Sequence, residues 1–164
     1  MEEKEIQRVH LIIAPHPDDE IIGCYEILER EKNILILYSS DVDFYRKEEA
    51  LKLREENNKI KGQLFQNTIP PPFLSKKETT TFYFPDPVNE IHPTHRAWGI
   101  NGESLARSGF DVIFYTTIMN VPYIHEVNSD KKESLLNKIY SSQKSLWEYE
   151  KKFVLFEGRC KWLF

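Results

Sequence analysis

His16-Pro17-Asp18-Asp19-Glu20 brings one imidazole and a run of carboxylates to a single short segment. The segment follows, after Pro15, on the apolar run Val9-His10-Leu11-Ile12-Ile13-Ala14, so it stands where a buried strand turns into a helix. In an open α/β sheet that end of a strand is where ligands bind. His16 and Asp19, three residues apart, can hold one metal ion, and Asp18 stays free to handle protons. Proline suits the first helical turn because its missing N–H has no partner there. Asp18, Asp19 and Glu20 then meet unpaired amides and the positive end of the helix dipole, which favour the ionised form. A metal ligand or a base at neutral pH must be ionised. The same Pro-Asp-Asp-Glu run is also an ordinary helix start, and short motifs of this kind often do no chemistry.

His92-Pro93-Thr94-His95-Arg96 adds two imidazoles just before a second expected helix. Of the 5 histidines, His16, His92 and His95 thus fall at strand-to-helix junctions. His16, Asp19 and His95 together offer two nitrogens and one oxygen. That is the three-ligand pattern of catalytic zinc, whose remaining position is left to water. The alternative is that His92 and His95 are two unrelated surface histidines. His10, inside the first strand, and His125 have no partners at ligand spacing and read as structural. Cys24 reads as a packed thiol rather than a nucleophile.

The elements that must position these groups can be read from the apolar pattern. Apolar runs alternate with helical segments, which predicts a parallel α/β sheet. Val9 to Ala14 is the first strand, and a helix opens at Asp18 or Asp19 with Ile21, Ile22, Tyr25, Ile27 and Leu28 as its apolar positions. Ile34 to Tyr38 is a continuous apolar strand of the kind covered on both faces. Phe44 to Ile60 reads as one charged helix, with Gly62 placed for a left-handed cap. Pro70-Pro71-Pro72 predicts an extended surface segment. Thr79 to Phe84 is a strand ended by Pro85-Asp86-Pro87. Arg96 to Ser108 is a helix weakened by Gly99 and Gly102. Asp111 to Thr116 is a strand, Lys131 to about Tyr149 a helix capped by Ser129 or Asp130, and Phe153 to Phe156 a last strand.

Composition bounds the class. The chain has 164 residues, the length of one domain, and no repeat or linker divides it. With 3 Trp, 8 Tyr and 10 Phe it has enough bulk for a core. The net charge is −4 and no basic stripe stands out, so nucleic acid is not an expected partner. The 2 cysteines, Cys24 and Cys160, form no Cys-x-x-Cys pair, which fits a reducing cytoplasm. The charged start Met1-Glu2-Glu3-Lys4-Glu5 and a first strand of about six residues predict neither a signal sequence nor a membrane span. The apolar tail Trp162-Leu163-Phe164 offers a surface that could dock on the domain or on another subunit, so a homo-oligomer is allowed.

The chain resembles a known family. Ala14-Pro15-His16-Pro17-Asp18-Asp19-Glu20, followed by Gly23-Cys24, is similar to the first motif of the PIG-L/LmbE-like N-acetylglucosaminyl deacetylases. His92-Pro93-x-His95 resembles that family's second motif, Arg46-x-x-Glu49-Ala50 a third, and Lys132 through Tyr140-Ser141-Ser142-Gln143 a weaker fourth. These segments follow the family's order from about residue 9 to residue 143. The resemblance implies a Rossmann-like α/β domain over residues 1–164 and a mononuclear zinc (Zn2+) amidase. His16, Asp19 and His95 would be metal ligands, Asp18 the general base and His92 the oxyanion stabiliser. Arg46 and Asp86 would contact substrate. The implied reaction removes an N-acetyl group from an amino sugar or its conjugate.

Two features depart from the family pattern. Thr94 stands where the family usually has an aspartate, and a threonine hydroxyl supports an imidazolium at His92 less well than a carboxylate does. The chain is also short for the family, with little between Phe84-Pro85-Asp86 and His92. Alternatives are a zinc hydrolase of another amide, such as a modified nucleoside or an amino-sugar nucleotide, and an inactive metabolite-binding module of the same fold. Arg46 could equally be a helix-surface residue paired with Glu49 at i, i+3.

Overall fold

The computed structural model describes residues 6–162. Strands β1 (Val9–Ala14), β2 (Ile34–Tyr38) and β3 (Ile60–Phe65) alternate with helices α1 (Asp19–Arg30) and α2 (Phe44–Glu56). A one-turn helix, α3 (Pro71–Leu74), leads to β4 (Thr80–Pro85), α4 (Pro93–Arg107) and β5 (Asp111–Tyr115). The last part carries β6 (Ile124–Glu126), α5 (Ser129–Ile139), a 3-10 turn (Ser141–Gln143), α6 (Lys144–Tyr149), α7 (Lys152–Leu155) and β7 (Phe156–Cys160). The sheet runs β3-β2-β1-β4-β5-β7-β6, parallel from β3 to β5 and antiparallel at β7 and β6. This is a single α/β domain with Rossmann-like strand order. The chain winds one way from β1 to β3 and the other way from β4 to β5. The switch point, where ligands sit in such sheets, therefore lies between β1 and β4. Among the described residues no helix is long and apolar enough to cross a membrane.

Side chains on a strand alternate between faces, and both faces of this sheet are covered. Ile12, Ala14, Ile34, Ile36, Tyr38, Tyr83 and Tyr115 pack with α1, α2, α5 and the fully buried Trp147. Leu11, Ile13, Leu37, Phe82, Phe84, Val112 and Phe114 pack with Trp98 and Leu105 of α4. Gly99 and Gly102 lower the intrinsic helicity of α4 but let it lie close to β4. A β-carbon would stand 2.7 Å from the Pro85 carbonyl oxygen at Gly99 and 2.6 Å from the Phe84 ring at Gly102.

Several expected elements differ. The helix from Phe44 ends at Glu56, and Ile60–Phe65 is an edge strand in which Gly62 pairs with Leu35. Pro71 and Pro72 open the one-turn helix instead of lying extended, since proline fits the first helical turn. Helix α4 starts at Pro93, three residues earlier than expected. Asn128, not Ser129 or Asp130, caps α5 by accepting from the Lys131 N–H. The late helix breaks at Tyr140 (φ −116°, ψ 46°), and the last strand begins only at Phe156. Strand β6 had no sequence expectation. Of the apolar tail, only Trp162 is among the described residues, and it is partly exposed.

Helix α1 is bent at Cys24 (φ −134°, ψ 26°). An undistorted helix would pair the Glu26 N–H with the Ile22 carbonyl. Here the Glu26 N–H donates to Glu157 Oε2 (3.2 Å), and the Ile22 carbonyl accepts from Lys132 Nζ (2.6 Å). Lys132 and Glu157 are both fully buried, 3.7 Å apart, so an ion pair is inserted into the backbone ladder. Burial pushes the Lys132 amine down to about 8 despite the attraction of Glu157.

Candidate metal and catalytic site

Three ligand-type atoms converge at the switch point. His16 follows β1, Asp19 opens α1, and His95 lies in the first turn of α4. His16 Nδ1 is 3.4 Å from Asp19 Oδ2 and 3.1 Å from His95 Nε2, and His95 Nε2 is 3.0 Å from Asp19 Oδ2. Tetrahedral bonds of about 2.0–2.1 Å place neighbouring ligand atoms about 3.3 Å apart, so the set has the spacing a small divalent ion requires. The segment is fixed locally: Asp19 Oδ2 also accepts from the His16 backbone N–H (2.8 Å).

The surroundings favour positive charge at this point. Burial works to raise the Asp19 pKa, but the His95 charge and hydrogen bonds from His16 and His95 hold it well below the usual carboxylate range. Burial would lower the His95 pKa, yet Asp19 and then Glu90 push it up to about 10. Glu90 is buried, 3.7 Å from His95 Nδ1, and anchored by the Thr117 N–H (2.7 Å) and hydroxyl (2.9 Å). A carboxylate behind the outer nitrogen of a histidine orients the ring and raises its basicity, as is usual for metal-binding histidines. Glu90 and Thr117 were missed from sequence; the only available signal was an acidic residue two places before His92.

A second group, Glu26, His125 and Glu157, also brings its ligand-type atoms within 4.8 Å. His125 is therefore not isolated, contrary to its sequence spacing, and lies 2.5 Å from Glu26 Oε1. Arg159 stands 2.7 Å from Glu157 and 3.7 Å from Glu26, and Lys132 stands 3.7 Å from Glu157. Two cations already offset these two carboxylates, so this group is an ion-pair network. Among the described residues no lysine or arginine forms an ion pair with a member of the triad at His16.

Asp18 lies beside the triad with a left-handed backbone (φ 111°) that a residue with a β-carbon seldom adopts. Burial and then the adjacent Asp19 raise its pKa well above the ordinary value, against the opposing pull of Arg46. Arg46 is 3.3 Å from Asp18 Oδ2 and 3.5 Å from Glu49, and donates to the Pro17 carbonyl. It therefore makes the expected i, i+3 pair and also reaches the site.

His92 caps α4: its Nδ1 accepts from the Thr94 N–H at 3.1 Å. That bond needs an unprotonated Nδ1 and leaves Nε2 as the donor. His92 is exposed, and slight desolvation, followed by the charges of His16 and His95, lowers its pKa. The His92 and His16 ring centroids are 4.7 Å apart. Asp86 is placed differently. It is fully buried, and its carboxylate accepts from the Val88 and Asn89 amides, the Asn89 side chain and the Tyr123 hydroxyl. It builds the loop that delivers His92 and offers no exposed oxygen to a substrate.

Next to Thr94, a cleft of about 320 Å³ is lined by Ser39, Asp41, Asn67, Trp98 and Asn101. No protein-family model, curated protein or solved structure matches the chain. The geometry of the site and the motifs therefore carry the functional reading.

Proposed function

We propose that this chain is a zinc-dependent hydrolase that removes an N-acetyl group from an amino sugar or its conjugate, giving acetate and a free amine. The observation that carries the reading is the convergence of His16 Nδ1, Asp19 Oδ2 and His95 Nε2 within 3.0–3.4 Å, with the buried Asp18 carboxylate beside them. The motifs shared with the deacetylase family point the same way. His16, Asp19 and His95 would hold the zinc, which when bound would supply Lewis acidity towards an amide carbonyl and water.

The chain's own residues do the remaining work. Asp18 takes a proton as water oxygen bonds to the acetyl carbon. It next hands that proton to the departing nitrogen as the C–N bond breaks. His92, with Nδ1 held by the Thr94 amide, presents Nε2–H to the developing oxyanion as a neutral imidazole. Thr94 thus supports a hydrogen-bond donor rather than an imidazolium. Arg46 keeps Asp18 oriented and, partly exposed, can also reach a substrate hydroxyl. Polar Asp41, Asn67 and Asn101 in the neighbouring cleft match the hydroxyls of a sugar. Exposed Phe44 and Tyr45, at the same end of the sheet, offer stacking surface to its ring.

The test is acetate release from a panel of N-acetylated sugars, conjugates and nucleotide sugars, with and without chelator, alongside metal analysis. The expected result is about one zinc per chain and chelator-sensitive release that Asp18→Ala abolishes. Full turnover by Asp18→Ala would overturn the mechanism.

A further inference from the structure

The turn at Tyr140 touches the catalytic end of α1 by two separate routes, although it lies more than a hundred residues away in sequence. On the first route, the Tyr140 hydroxyl donates to Glu20 Oε1, as does the Tyr38 hydroxyl at 3.0 Å. The other oxygen, Glu20 Oε2, accepts from the Asp18 backbone N–H at 3.0 Å. On the second route, the Ser142 hydroxyl (2.5 Å) and N–H (3.2 Å) donate to Glu49. Glu49 stands 3.5 Å from Arg46 Nε, and Arg46 stands 3.3 Å from Asp18 Oδ2. The Tyr140 ring also lies under the Arg46 guanidinium, 5.9 Å away.

We propose that Tyr140 and Ser142 are positioning residues for Asp18, acting on its peptide through Glu20 and on its carboxylate through Glu49 and Arg46. The inference rests on the reading of Asp18 as the base. Glu20 and Tyr140 are 0% exposed and Glu49 is 3% exposed. Buried carboxylates add little net stability, because their lost hydration offsets what their partners return. Glu20 contacts the Asp18 peptide directly, and Glu49 reaches the Asp18 carboxylate through Arg46. A left-handed backbone at a non-glycine residue persists only where its surroundings over-determine it, and Glu20 supplies one such constraint. The break between α5 and α6 serves the same end: a helix continuing through Tyr140 would not present the Ser142 amide and hydroxyl together to one carboxylate.

The variants that test this are Tyr140→Phe and Ser142→Ala, which remove single hydroxyls. Misplacing a reacting group by about one ångström can cost about a hundredfold. Each variant should therefore lower kcat for acetate release by about tenfold or more, with KM and zinc content unchanged. In an Asp18→Asn background neither should cause further loss. A readout independent of turnover is nitrogen-15 NMR of the zinc-loaded protein. In Tyr140→Phe the Asp18 amide resonance should move upfield, and its HN–Hα coupling should leave the left-handed value. Should Tyr140→Phe fail to fold, Ser142→Ala, at the surface, carries the kinetic test. Zinc content falling in step with activity, a change in KM alone, full additivity with Asp18→Asn, or unmoved Asp18 resonances would overturn the proposal. Should the unmodified protein release no acetate from any substrate, the hydrolase reading fails, and the NMR result still decides whether the turn positions Asp18.

Discussion

Replacing Lys132 with methionine removes a positive charge from the point where α1 is bent, while keeping a long apolar stem. The folded chain holds the Lys132 amine down to about 8, against an ordinary value of 10.5. Between those limits the unfolded chain binds more protons than the folded one, so this group's contribution to stability rises with pH from 8 to 10.5. The gap of roughly 2.5 units corresponds to about 3 kcal/mol. At neutral pH opposing effects meet in the variant: relief of a buried charge on one side, and a lost partner for Glu157 with two orphaned acceptors on the other. Lys132 Nζ serves the Ile22 carbonyl at 2.6 Å and the Phe156 carbonyl at 3.0 Å, and each unmet buried acceptor costs about 1–3 kcal/mol. The absolute stability of the variant is therefore not diagnostic, but the slope is. Urea unfolding at pH 7 and pH 10.5 should show the unmodified chain gaining about 3 kcal/mol relative to Lys132→Met. Other lysines and the tyrosines titrate in both proteins and cancel. Parallel behaviour of the two proteins over this range would refute the argument.

Three further outcomes follow from the site. Asp18→Asn should retain about one zinc per chain and lose roughly 10²- to 10⁴-fold in turnover, checked by metal analysis and acetate release. Zinc added to the metal-stripped protein should raise its melting temperature, and His95→Gln should abolish that rise, because only a ligand bound to the native state stabilises it. Glu90→Gln should weaken zinc binding by about 10- to 100-fold with the fold intact, as measured by competition with a chelating dye. Unchanged affinity would mean that Glu90 does not act on His95.

The sequence disclosed what is local and periodic. Strands β1, β2, β4 and β5 are short apolar runs, and their bounds match expectation within a residue or so. The segments His16–Asp19 and His92–His95 were legible because residue types at strand-to-helix junctions carry a positional meaning in this architecture. Their convergence follows from β1 and β4 being neighbours, which is a property of the sheet order rather than of either segment. Edge strand β3 escaped notice because Ile60-Lys61-Gly62-Gln63 carries little β signal and sits against the end of a charged helix; pairing with β2 decides it. The break at Tyr140 was hidden for a similar reason. Helical periodicity runs on past it, while buried contacts to Glu20 and Glu49 hold the turn. Glu90, Thr117 and the Lys132–Glu157 pair depend on contacts between distant segments that no local pattern records.

The left-handed backbone of Asp18 has a consequence for how this chain could change. Glycine adopts that conformation without penalty, so Asp18→Gly would relieve about 1–3 kcal/mol of strain and would also remove a carboxylate buried against its neighbour Asp19. Against that relief stands the loss of the Arg46 partner at 3.3 Å, and the same substitution deletes the proposed base. A screen that rewards heat resistance alone would weigh the strain against that ion pair and would be blind to the loss of the proposed base.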